Sequence, residues 1–101
     1  MNYNLKNKVI LITGASKGIG KSISTKLAQN GAKVVLLSRS IEELKKVHEE
    51  LKSAGLQSVY KQTDVSNIDD LKCAVDYTIE TWGTIDGIVN NAGITEDNLI
   101  A

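Results

Sequence analysis

Cysteine is almost absent from this chain: Cys73 stands alone. One thiol closes no internal disulfide, and with no second cysteine or clustered histidine it builds no metal site. A structural or incidental role is expected for it, because reactive thiols sit in an electropositive setting that the sequence does not supply here. Proline is missing altogether, as are internal repeats, low-complexity tracts and linkers, so nothing divides the 101 residues into separate parts. Net charge is missing too. The 12 basic and 12 acidic residues cancel and are scattered rather than gathered into tails, which argues against a nucleic-acid or membrane-surface partner held by bulk charge. Any charged ligand must be met locally. No apolar run approaches the length of a bilayer span, and the start, Met1-Asn2-Tyr3-Asn4-Leu5-Lys6, is too polar for a secretory signal, so a cytoplasmic location is expected. A chain this short buries roughly 60–65% of its unfolded surface, which fits one small domain or a piece of a larger one.

What is present is a regular alternation of two patterns. Val9-Ile10-Leu11-Ile12 and Val34 to Leu37 are continuous apolar runs, the mark of parallel strands covered on both faces. Between them Ile19, Ile23, Leu27 and Ala28 recur at helical spacing, and Gly31 follows as a stop. Ser40-Ile41-Glu42-Glu43 reads as a capping box, in which the serine hydroxyl and the glutamate satisfy orphan helix N–H groups. It predicts a helix from Ile41 to about Ala54 that buries Leu44, Val47 and Leu51. His48 borders that face and reads as a packed or half-exposed side chain. Ser58 to Gln62 is a shorter, more polar strand suited to a sheet edge. Ser66-Asn67-Ile68-Asp69 caps a third helix whose apolar positions Ile68, Leu71, Val75, Ile79 and Trp82 form one stripe ending at Gly83, with Cys73 on the opposite side. After the turn Thr84-Ile85-Asp86, Gly87 to Asn90 reads as a fourth strand. The order is βαβαβαβ, and right-handed crossovers predict an α/β fold: a partial, Rossmann-type doubly wound parallel sheet with strand order 3-2-1-4.

In such sheets ligands bind at the carboxyl ends of the strands, where Thr13-Gly14-Ala15-Ser16-Lys17-Gly18-Ile19-Gly20 lies. Gly14 permits a tight turn. Gly18 and Gly20 remove side chains so that backbone can approach a pyrophosphate and the helix can pack closely, while the helix N-terminus offers N–H groups and partial positive charge. A glycine triplet by itself also serves as a tight strand-to-helix turn with no ligand; its place in a βαβ unit favours binding.

The spacing, Gly-x-x-x-Gly-x-Gly, differs from the commoner Gly-x-Gly-x-x-Gly and resembles that of the short-chain dehydrogenase/reductases. Two further motifs carry the likeness: Asp64-Val65 after the third strand and Asn90-Asn91-Ala92-Gly93 after the fourth. Together with Ile94-Thr95 and Asp97-Asn98-Leu99 the pattern is most similar to the 3-oxoacyl-acyl-carrier-protein reductases of fatty-acid synthesis, over nearly the whole chain. The resemblance implies that residues 1–101 are the NAD(P)-binding, N-terminal portion of a larger reductase domain. It implies pyrophosphate and ribose contacts from Gly14, Ala15, Ser16, Lys17, Gly18, Ile19 and Gly20, and adenine contacts from Asp64 and Val65. Asn90, Ala92 and Gly93 would follow the ribose and nicotinamide side, with Asn91 holding the fourth strand against the turn. Taken alone, Asn90 and Asn91 read as a polar strand end.

Charge argues for the form of the cofactor. An acidic residue at the end of the second strand would bond a free ribose 2′-hydroxyl and repel a 2′-phosphate, whereas arginine accepts the phosphate in a fork. Here that strand ends Leu37-Ser38-Arg39-Ser40. Arg39 with Lys17 in the glycine turn, and hydroxyl donors from Ser38 and Ser40, predict NADP(H). Elsewhere on a surface the same two cations would simply be solvated.

The family resemblance also implies a catalytic serine and a Tyr-x-x-x-Lys pair, the tyrosine as general acid to a substrate carbonyl. No tyrosine here fits: Tyr3 is followed at four residues by Asn7, Tyr60 by Asp64 and Tyr77 by Thr81. No catalytic residue is named within the chain, those of the family falling beyond position 101, and the chain alone is expected to be inactive. The expected parent reduces a ketone, carried on acyl-carrier protein or free, as a homo-oligomer. The alternative is a non-catalytic module that binds dinucleotide without turnover or binds a partner through an open fourth-strand edge.

Overall fold

In a computed structural model of the chain, residues 4–16 and 18–91 are described. Seven elements alternate: β1 (Val9–Thr13), α1 (Gly18–Gln29), β2 (Lys33–Ser38), α2 (Ile41–Ser53), β3 (Ser58–Gln62), α3 (Ile68–Trp82) and β4 (Gly87–Val89). The strands form one parallel sheet in the order β3-β2-β1-β4, the predicted architecture. In register, Leu11 of β1 pairs with Val35 of β2 and with Ile88 of β4.

The apolar runs make the two central strands. Every residue of β1 is buried, as is every residue of β2 after Lys33. Alternate side chains feed two cores on opposite faces of the sheet. Ile10, Ile12, Val34 and Leu36 meet Ala28 of α1 and Leu44, Val47 and Leu51 of α2 on one side. Val9, Leu11, Val35 and Leu37 meet Ala74 of α3 on the other. Asp86, read from sequence only as part of a turn, secures β4: its carboxylate accepts the Val9 N–H at 2.8 Å, and its own N–H donates to the Val9 carbonyl at 2.8 Å.

Two expectations are corrected. The stripe on α3 is not its buried face. Ala74 and Thr78 are fully buried, while Ile68, Val75 and Ile79 are 68%, 36% and 44% exposed and Leu71 and Trp82 are partly buried. Residues 74 and 78 lie roughly 100° around the helix from residues 75 and 79. Small side chains let α3 approach the sheet closely, so they take the contact and the larger ones flank it. The same logic governs α1, where Gly20, Ser24 and Ala28 are buried and Ile19 is 58% exposed. Periodicity reveals that an apolar stripe exists but does not say which small-residue face beside it is pressed on the sheet. The second correction concerns the capping box. The Glu43 N–H donates to Ser40 Oγ at 3.4 Å, but the Ser40 N–H goes to Ser38 Oγ at 3.0 Å, not to the glutamate. Ser38, two residues before the cap, takes that donor instead.

His48 is half-buried, with Nδ1 2.8 Å from Ser58 Oγ and its ring 5.1 Å from that of Tyr60. Cys73 is exposed. No helix among the described residues is long and apolar enough to cross a membrane.

Candidate dinucleotide-binding site

The carboxyl ends of β1, β2 and β3 open together on one edge of the sheet. A cavity of about 450 Å³ lies there, lined by Gly14 and Ser16 after β1, Ser38, Arg39, Ser40 and Glu43 after β2, and Thr63, Asp64, Val65 and Ser66 after β3. This is within the ~300–1,000 Å³ typical of small-molecule sites. It brings together Gly14, Ser16, Arg39, Asp64 and Val65, all predicted to bind cofactor, with Ser38 and Ser40, read from sequence as hydroxyl donors beside them.

The turn leaving β1 has a backbone that only glycine adopts readily. Gly14 and Gly18 have φ of +62° and +59°, where a side chain costs about 1–2 kcal/mol. Space around Gly18 is open, for a Cβ there would meet nothing within 4 Å; the start of α1 is thus bare toward solvent, as an approaching anion requires. Gly20 is constrained differently. A Cβ on it would overlap the Gly14 carbonyl oxygen and stand 2.6 Å from Asn91 Nδ2. Gly20 is therefore the contact that seats α1 on the turn. Ala15 is fully buried and its N–H donates to the Leu37 carbonyl at 3.1 Å, tying the turn to β2.

The end of β4 is joined to the same turn. Asn91 Nδ2 donates to the Gly14 carbonyl at 3.1 Å, and the Thr13 hydroxyl donates to Asn90 Oδ1 at 3.2 Å. Asn91 holds the strand end against the glycine turn, as expected from the sequence, and Asn90 is exposed beside it. Ile19 is exposed at the start of α1. Lys17, Ala92 and Gly93 lie outside the described residues.

Hydroxyls and carboxylates complete the walls. Ser38 is not the free donor that the sequence suggested: its hydroxyl donates to Ser16 Oγ at 3.0 Å while accepting the Ser40 N–H. The Arg39 carbonyl accepts from Gln62 Nε2 at 2.9 Å, fixing the backbone at the end of β2. Asp64 Oδ1 accepts from the Ser66 hydroxyl at 2.6 Å and from the Ser66 N–H at 2.9 Å. Those two bonds, the hydroxyl foremost, hold the Asp64 carboxyl below its ordinary range against a small opposing effect of desolvation, with the Arg39 charge assisting. The Asp64 N–H is itself held by Asp70 Oδ2 at 2.9 Å. Sequence reasoning missed Thr63, Ser66 and Asp70 as supports of this wall, and it read Glu43 only as a helix cap. The Asp-x-Ser spacing of Asp64 and Ser66, which makes a local side-chain turn, was the available signal. Among the described residues no group of three or more His, Cys, Asp and Glu could hold a metal ion.

A parallel sheet whose central strand runs into a glycine turn, with a cleft across the neighbouring strand ends, defines a Rossmann-type α/β domain. Residues 8–101 match the family model described as short chain dehydrogenase. The chain belongs to the short-chain dehydrogenase/reductase family, whose cofactors are the nicotinamide dinucleotides NAD(H) and NADP(H). It is 46% identical over 90 residues to an uncharacterised oxidoreductase of Listeria monocytogenes, covering 89% of this chain and 36% of that protein. To the 3-oxoacyl-[acyl-carrier-protein] reductase FabG of Staphylococcus aureus it is 42% identical over 94 residues, covering 92% and 38%. Among solved structures, L-sorbose reductase from Gluconobacter frateurii, complexed with NADPH and L-sorbose, superposes with a TM-score of 0.87 at 33% identity, covering 93% of this chain and 36% of that one. A short-chain dehydrogenase/reductase from Burkholderia phymatum in complex with NAD superposes with 0.82 at 30%, covering 85% and 31%. The chain thus spans roughly a third of the length of the relatives it matches.

Proposed function

We propose that residues 1–101 form the NADP(H)-binding, N-terminal portion of a larger cytoplasmic, homo-oligomeric reductase domain. Its substrate is a ketone of the 3-oxoacyl thioester kind, carried on acyl-carrier protein as in fatty-acid synthesis, and its product an alcohol. The observation that carries the NADP(H) reading is Arg39, which lines the cleft at the end of β2 where the adenosine ribose of a dinucleotide lies in folds of this type. Gly14, Ala15, Ser16, Gly18, Ile19 and Gly20, with Lys17, would hold the pyrophosphate; Asp64 and Val65 would meet the adenine; Asn90, Ala92 and Gly93 would flank the nicotinamide ribose. The residues fit the group: the bare start of α1 accepts an anion, and Arg39 is a planar donor suited to a phosphate monoester. Bound nicotinamide would supply the hydride.

A second reading is a module that binds dinucleotide, or a partner chain, without turnover. Titrating the protein with NADPH and NADH, followed by nucleotide fluorescence, tests the first reading, which expects saturable binding with NADPH tighter. Binding without oxidation of NADPH in the presence of a 3-oxoacyl thioester is expected of these residues under either reading, whereas oxidation eliminates the second. No binding of either nucleotide refutes both dinucleotide readings.

A further inference from the structure

Glu43 lines the cleft from the first turn of α2. In a complete capping box a glutamate at this position turns back to accept the N–H of the capping residue. Here that N–H, of Ser40, is bonded to Ser38 Oγ, and the contact of Glu43 with the cap is through its backbone N–H. Among the described residues no hydrogen bond or ion pair engages its carboxylate. The serines do the capping, and a half-exposed carboxylate is left uncommitted at the cleft wall.

That carboxylate stands on the same wall as Arg39, four residues before it. The other lining carboxylate, Asp64, accepts two bonds from Ser66 and stays ionised beside Arg39. Of the described lining residues Arg39 is the cation that attracts an additional phosphate, and Glu43 adds a second carboxylate charge, engaged by no bond among those residues, that opposes it. A phosphate monoester carries roughly −1.5 to −2 charge near pH 7, whereas a free ribose hydroxyl is neutral and donates to a carboxylate. The repulsion falls on one dinucleotide and not on the other.

We infer that Glu43 is a specificity-determining residue of the cofactor site, whose carboxylate counters the pull of Arg39 on a 2′-phosphate and narrows the preference for NADPH over NADH. The inference rests on the dinucleotide reading of the cleft. Its test is fluorescence titration of wild-type protein, Glu43→Gln and Glu42→Gln with NADPH and NADH at low and at physiological salt. Glutamine keeps the length and polarity of glutamate, and thermal midpoints check that each variant is folded. Glu42 is exposed on the same helical turn and does not line the cleft, so it controls for net charge.

Glu43→Gln is expected to tighten NADPH about fivefold, by a margin that shrinks with salt, and to leave NADH unchanged or weaker. Glu42→Gln is expected to leave the NADPH to NADH ratio where it was. An unchanged ratio in Glu43→Gln overturns the inference, and so does an equal change in Glu42→Gln, which would reduce the effect to bulk charge. Glu43→Ala, which removes the charge without adding an amide donor, should repeat the shift and keeps the test open if the glutamine variant does not fold. Wild-type protein that binds neither nucleotide removes the dinucleotide reading and the inference with it, a result distinct from binding at an unaltered ratio.

Discussion

Asn91 Nδ2 donates to the Gly14 carbonyl at 3.1 Å, and the methylene of Gly20 packs beneath the same two groups, so that a Cβ there would collide with both. One carbonyl oxygen thereby joins three parts of the chain: the turn after β1, the start of α1 and the end of β4. The shape of the turn is held by protein contacts, which leaves its solvent side free for a ligand.

Replacing Asn91 with alanine removes one of those contacts. The expected cost is about 1–2 kcal/mol, the usual result of leaving a partly buried acceptor without its donor. Urea unfolding of the variant checks this. A loss below a few tenths would mean that solvent replaces the amide and that the bond does not fix β4.

Gly20→Ala and Gly18→Ala should separate clash from conformation. At Gly20 the added carbon meets backbone, which does not yield cheaply, so a loss of at least about 3 kcal/mol or failure to fold is expected. At Gly18 the carbon enters open space but the φ of +59° remains, costing about 1–2 kcal/mol. Equal losses by chemical denaturation would contradict the geometry of the turn.

Arg39→Ala is expected to weaken NADPH binding by about tenfold or more, while NADH changes little, because a charge-assisted pair of roughly 1.5–3 kcal/mol is lost only where a 2′-phosphate exists. Parallel titrations decide it. Equal losses for both dinucleotides would sink the assignment of Arg39 to the phosphate.

The depressed Asp64 carboxyl makes a prediction for acid. Its folded value lies below the ordinary 3.8, so at low pH the unfolded chain binds the proton first, and stability rises with pH through that window. The contribution is fully present above the ordinary carboxylate range and is lost as pH falls through the folded value. Wild-type protein should therefore lose thermal stability more steeply below about pH 4 than Asp64→Asn, which has nothing to titrate there. Parallel slopes would show that the Ser66 bonds contribute nothing.

On α3 the two neighbouring faces should respond oppositely. Ile79→Lys alters a side chain 44% exposed and is expected to stay within about 0.5 kcal/mol of wild type. Ala74→Asp places a charge in a fully buried position and should cost several kcal/mol or prevent folding. Reversed ranking in urea titrations would mean that the apolar stripe, not the small-residue face, rests on the sheet.

Much of this was legible before any coordinates. Val9 to Ile12 and Val34 to Leu37 announce buried parallel strands because both of their faces must be apolar. Leu44, Val47 and Leu51 announce the face of α2, and Ser58 to Gln62 an edge strand. The rotation of α3 was not legible, since Ala74 and Thr78 are too small to register in a hydrophobic pattern yet are what a close helix-to-sheet contact demands. Ser38 and Glu43 were misjudged for a related reason: which of two nearby groups reaches the Ser40 N–H depends on how the end of β2 enters α2.

By itself the sequence determined the order of elements, the strand order 3-2-1-4 and the glycine turn at the carboxyl end of the central strand. Those follow from local periodicity, from the φ values glycine permits and from the handedness of crossovers, none of which needs distant contacts. Tertiary structure alone decided that Asp86 binds Val9, that Ser38 rather than Glu43 takes the Ser40 N–H and which side of α3 is buried. Each is a competition between groups brought together by the fold, and its outcome is set by distances of a few ångströms that no spacing along the chain encodes.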